Sequence, residues 1–201
     1  MRDVKFVSIL FLLALLISSA FCKSNNETNL TIDDITLYDI TDEPRTFPID
    51  ILVSNELNSE KNEAVAQALN DWQKFSNGLI TFNVTYNWVP TEPFSEYVHN
   101  EKYPITVWYK KNDDPILFQL QMRYSFVATG FSDGNYIVMV EHADCMSYRD
   151  AYVIFKHEFG HVIGMEHIKK EYPALMNLKA NKGALSKYDD IMLCGIYDCK
   201  I

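Results

Sequence analysis

The chain has 201 residues, 48% of them hydrophobic and 22% charged, with a formal net charge of −9. That length and composition fit one globular domain with a core of its own. An acidic chain whose charge is spread without a long block has no electrostatic pull toward nucleic acid or an anionic membrane surface, so neither is an expected partner.

Arg2 and Lys5 open the chain, and Phe6 to Ile17 is an apolar run broken only by Ser8. Ser18-Ser19-Ala20 and Ala20-Phe21-Cys22 each offer a small-residue cleavage site. Residues 1–22 therefore read as a secretory signal, cut after residue 20 or 22. The run falls short of the ~20 apolar residues that cross a bilayer, so secretion without stable membrane insertion is expected. Residues 23–44 are polar, carry Asp33, Asp34, Asp39, Asp42 and Glu43, and end at Pro44. They read as a loose leader or a short pro-segment. Sequons at Asn26, Asn29 and Asn83 are glycan acceptors on a eukaryotic secretory route.

From Phe47 to Val53 the chain alternates like a strand. Asn58 or Ser59 can cap a helix from Glu60 to Ser76, whose Ala64, Val65, Ala68, Leu69, Trp72 and Phe75 recur at threes and fours. Asn77-Gly78 ends it. Leu79–Trp88, Ile105–Tyr109, Phe126–Thr129 and Tyr136–Val140 have strand composition, with turns at Lys111–Pro115 and Ser132–Asn135. Ser147 can cap a second long helix, with Asp150 as a weaker capping-box partner. Val153, Ile154 and Phe155 carry that helix into the core, and a closing helix begins near Ser186. The order strand, helix, several strands, helix, turn, helix predicts an α/β (α+β) sandwich. A twisted, mostly parallel sheet lies above a helical lower part, with a cleft between them.

The second long helix carries His157-Glu158-Phe159-Gly160-His161-Val162-Ile163-Gly164-Met165-Glu166-His167, which holds three of the chain's five histidines. Residues four apart share one helix face, about 6 Å apart along the axis. His157 and His161 can therefore aim at one ion. A straight helix would carry His167 away. Gly164 can enter the left-handed region, end the helix and return His167 to the metal from another side. Three neutral imidazoles with one open position make a catalytic zinc site. Glu158, beside the first ligand, is placed as general base for the metal's water and then as proton donor to a leaving amine.

This extended motif resembles the metzincin zinc proteases, in which a histidine triad is followed by a methionine turn. Pro173-Ala174-Leu175-Met176-Asn177 resembles that turn, with Met176 as an apolar floor beneath the imidazoles. Leu185-Ser186-Lys187-Tyr188-Asp189-Asp190-Ile191 and Gly195-Ile196-Tyr197 resemble the closing helix of matrixins. Phe47 to Ile51, Val65 to Ala68, Trp72 and Ile80 to Phe82 resemble the first strand, helix and second strand of a matrixin catalytic domain. The resemblance spans about residues 45–201. It implies one catalytic Zn2+, a zincin-like fold, and a protein or peptide substrate held extended along an antiparallel edge strand near Ser125 to Phe131. A monomer is expected.

Departures stand beside it. Ser125 to His142, the stretch that in matrixins holds structural zinc and calcium, offers one histidine and one aspartate, Asp133, so neither ion is expected. No latency cysteine between Arg and Gly precedes the domain, and Asn177-Leu178 stands where matrixins place Tyr-Pro. The cysteines are Cys22, Cys145, Cys194 and Cys199. If the signal is cut after Cys22, Cys145 is expected to pair with Cys194 or Cys199. The leading reading is a secreted zinc metalloendopeptidase. The alternative is a secreted zinc-containing binding protein that keeps a protease-like scaffold without activity.

Overall fold

The computed structural model describes residues 30–37, 44–98, 103–111, 115, 130–132, 135–141, 146–177 and 183–199. Every element below belongs to one compact unit, Thr31–Ile201. The expected strand Phe126–Thr129, His99, His142, Asp133, Cys22, Cys145, Asn26, Asn29 and the signal segment lie outside the described residues.

Five strands form one sheet. They are β1 (Ile49–Ser54), β2 (Phe82–Trp88), β3 (Ile105–Lys111), β4 (Gly130–Ser132) and β5 (Tyr136–Glu141). The spatial order is β2-β1-β3-β5-β4. All neighbours run parallel except β4, which is antiparallel to β5. The expected mixed sheet with an antiparallel edge strand is what forms. Alternation explains the outer strand β2, where Asn83, Thr85 and Asn87 are exposed between half-buried Phe82, Val84, Tyr86 and Trp88. Strand β5 is apolar on both faces, as a strand covered on two sides must be. Ile137, Val138, Met139 and Val140 of β5 are all fully buried.

Two long helices pack against each other, and the later one also lies against β4 and β5. Helix α2 (Ser59–Phe75) follows α1 (Ile32–Ile35), and Asn58 caps it by accepting the Lys61 N–H at 2.9 Å. Its buried stripe is Ala64, Val65, Ala68, Leu69 and Trp72. Asn77 and Gly78, both at positive φ, end it where the sequence placed the stop. After the short α3 (Phe94–Val98) comes α4 (Tyr148–Val162), capped by Ser147, whose hydroxyl accepts the Asp150 N–H. The Trp72 indole of α2 donates to the Lys156 carbonyl of α4 at 2.8 Å. Helix α5 (Lys187–Tyr197) closes the fold and is capped by Ser186. Its Tyr197 hydroxyl donates to the Ile163 carbonyl at 2.8 Å, satisfying one of the orphan acceptors at the end of α4.

Part of the leader departs from the loose arm expected of it. Thr31–Leu37 is folded: α1 packs on α5, Ile35 is fully buried, and Thr36 bridges to Ile168. Two isoleucines three apart gave too short an apolar signal to stand out in a polar stretch. Cys194 and Cys199 are half-buried free thiols, and Cys145, the partner expected for one of them, lies outside the described residues.

Candidate metal centre

His157 and His161 project from the last two turns of α4. The helix then ends in a Schellman turn. Gly164 N–H donates to His161 O and Met165 N–H to Gly160 O, each at 2.9 Å. Gly164 has φ +83° with open space where a Cβ would stand, so its glycine is needed for backbone freedom and not for room. The turn brings His167 back. The ring centroids stand 5.0 Å apart for His157 and His161, 4.6 Å for His161 and His167, and 5.3 Å for His157 and His167. One ligand atom from each lies within 4.8 Å of the other two. The sequence-predicted triad is therefore brought together.

The hydrogen bonds orient two of the rings. His157 Nδ1 lies 2.9 Å from Leu175 O, and His161 Nδ1 lies 2.8 Å from Met165 O. A carbonyl only accepts, so each Nδ1 carries the proton and each Nε2 keeps its lone pair. His157 Nε2 and His167 Nε2 face each other at 3.3 Å. Two nitrogens on one tetrahedral zinc, each about 2.0–2.1 Å from the ion, stand about 3.3–3.4 Å apart. Burial and mutual repulsion keep the rings neutral, which is the ligating form. Burial, then the neighbouring histidines, bring His161 down to about 3. The same causes bring His167 down to about 4, and burial lowers His157. This donor set fits a zinc ion.

Glu158 is 8% exposed, and burial pushes its carboxyl up to about 8 with no offsetting charge or hydrogen bond among the described residues. A cation beside it would favour the carboxylate and bring that value down. The edge strand lies directly against it. A Cβ on Gly130 of β4 would stand 3.0 Å from Glu158 Oε1 and 2.6 Å from Ile154 Cγ2. The absent side chain at Gly130 thus lets the sheet edge approach the carboxylate.

Met176 is fully buried and seats under α4 at Gly160, where an added Cβ would collide with its sulfur. Its turn is fixed from α5. The fully buried Asp189 carboxylate accepts the N–H groups of Leu175 and Met176, each at 3.1 Å, and that of Ser186 at 2.7 Å. Asn177, a departure from the matrixin pattern, has a structural task. Its Nδ2 lies 3.0–3.3 Å from the carbonyls of Ile168, Lys169 and Tyr172, stitching the segment after His167 to the methionine turn. Tyr172 packs on Tyr188 with ring centroids 4.8 Å apart. Sequence reasoning passed over Gly130, Gly160, Asn177 and the individual role of Asp189. Gly160, between Glu158 and His161 in the motif, was the one visible signal, since an interior helical glycine asks for a close neighbour.

No protein-family model matches the chain, and no curated protein matches it in sequence. Among solved structures it is similar to a zinc-dependent peptidase from Methanocorpusculum labreanum (strain Z), with 11% identity, 73% of this chain and 100% of that chain covered, and a TM-score of 0.43. A likeness of that degree identifies neither a family nor a reaction.

Proposed function

We propose that this chain is a secreted zinc endopeptidase. The observation that carries the proposal is a set of three neutral, converging imidazoles beside a buried carboxylate with no neutralising partner among the described residues. His157, His161 and His167 would hold the ion, with Gly164 and Met176 supporting them. Zinc on three imidazoles lowers the pKa of its water toward about 7 and polarises a carbonyl.

The chain's own groups supply the rest. Glu158, as carboxylate, takes a proton from the attacking water and delivers it to the departing amide nitrogen. An extended peptide would lie along β4, the outermost strand of the sheet among the described residues, which holds it straight. The contact at Gly130 sets that edge beside Glu158, so a peptide paired there passes the proton acceptor. Secretion rests on the apolar N-terminal run and its cleavage sites.

The test is a pair of purified proteins, wild type and Glu158→Ala, assayed for bound metal and for cleavage of denatured protein. Wild type cleaves, chelation stops it, and added zinc restores it. Glu158→Ala binds the same zinc and cleaves nothing. Proteolysis by the variant at the wild-type rate would overturn the assignment.

A further inference from the structure

His157 and His161 are held by a helical ladder, but His167 lies beyond the helix end, in a segment with no ladder of its own. Its backbone is instead gripped from both sides. On one side Ile168 forms a parallel bridge with Asn177, and Ile168 N–H donates to Met176 O at 2.8 Å. On the other side Ile168 forms an antiparallel bridge with Thr36. There Leu37 N–H donates to His167 O at 2.7 Å, and Lys169 N–H donates to Ile35 O at 2.8 Å. Three lengths of chain thus run side by side, and the middle one carries the third imidazole.

The outer length is anchored independently. Ile35 has no exposed surface. Ile32 lies over Gly195 of α5 so closely that a Cβ there would come within 2.8 Å of it. The Asp34 carboxylate accepts from both the N–H and the hydroxyl of Thr31, each at 2.8 Å. Lys169 reaches back to the Asp34 carbonyl at 2.7 Å. A detachable segment that merely shields a cleft would not need a fully buried side chain and paired backbone with the loop bearing a ligand.

We propose that Thr31–Leu37 is a permanent clamp that positions His167, retained by the working protein and required for tight metal binding. The inference rests on the assignment of His167 as a zinc ligand. A carbonyl and an amide flanking the ligand are fixed by the leader, so losing that grip lets the imidazole wander. Partners of this kind are worth about 10–100-fold in metal affinity.

The experiment uses the full chain, with zinc affinity measured by competition against a coloured chelator and cleavage measured in parallel. Leu37→Pro removes the N–H that holds the His167 carbonyl, while Leu37→Ala keeps it. The expected result is a loss of about 10–100-fold in zinc affinity for Leu37→Pro, with faster zinc release, and recovery of most of that loss in Leu37→Ala. If Leu37→Pro does not fold, Lys169→Met, which removes only the exposed ties to Asp33 and Asp34, is measured instead and shifts affinity in the same direction. A wild-type chain that binds no zinc overturns the metal assignment and the clamp with it. Zinc-binding wild type with equal affinity in the folded variant overturns the clamp alone. So does a variant that cleaves faster than wild type, or a mature protein that begins beyond Leu37 and binds zinc undiminished.

Discussion

Two glycines in the motif do different work, and substitution separates them. Gly164 sits at φ +83° with free space around it, so Gly164→Ala meets only backbone strain, about 1–2 kcal/mol. It lowers the unfolding free energy measured by urea titration by that amount and weakens zinc binding, because the turn it shapes delivers His167. Gly160 has ordinary helical geometry but no room, because the Met176 sulfur fills the place an added methyl would take. Gly160→Ala should cost about 1–3 kcal/mol through overpacking. Adding Met176→Ala should recover part of that loss in a double-mutant cycle, whereas it should recover none of the loss in Gly164→Ala. The histidine triad and Gly164 were legible because their logic is local, a matter of spacing along one helix and its end. The reason for Gly160 was not, because its neighbour arrives from the methionine turn. Gly130 was hidden for the same reason, its partner being a carboxylate on another element.

At the scale of elements, caps and apolar residues placed α2 and α4 closely and the family resemblance placed the start of α5, and Asn58, Ser147 and Ser186 act as caps in the structure. What they left out is a buried lysine between α2 and α4. Lys156 Nζ lies 2.8 Å from Asp71 Oδ2, from the Tyr152 hydroxyl and from Gly183 O, and Tyr152 also donates to Asp71. A lysine in a helix reads as solvated surface, and only the tertiary meeting of α2, α4 and the turn before α5 makes it interior. Burial acts to raise the Asp71 pKa, but hydrogen bonds from Lys156 and Tyr152 and the lysine's charge outweigh it, so the carboxyl lies below its ordinary 3.8. The unfolded chain therefore takes up this proton first as pH falls. The stabilisation is whole above the ordinary value and is lost as pH drops through 3.8 toward the folded one. Asp71→Asn should cost about 1–3 kcal/mol at neutral pH by leaving a buried ammonium short of its partner. The gap between its urea midpoint and that of wild type should be constant above about pH 5 and narrow below pH 4. A gap independent of pH would deny the ion pair its role.

Across the whole molecule, strand order and direction decide which parts meet. Alternation and turn residues are local signals and marked the strands that became β1, β2, β3 and β5, whereas the single antiparallel edge was implied only by the family resemblance. The sequence did not supply the juxtaposition of β4 with Glu158, nor the pairing of Thr36 with Ile168, because neither contact leaves a periodic trace. The same three-dimensional closure brings Asp189 of α5 beneath Leu175 and Met176 and ties the end of α4 to α5 through Tyr197. The two helices, the methionine turn, the leader and the sheet edge thus converge on one small volume around the imidazoles. X-ray absorption of the purified protein at the zinc edge measures that volume most directly. The expected result is one zinc per chain with three nitrogen neighbours and one light-atom neighbour from solvent, all at about 2.0–2.2 Å. A metal-free chain, or a zinc closed by four protein ligands with sulfur among them, would contradict it.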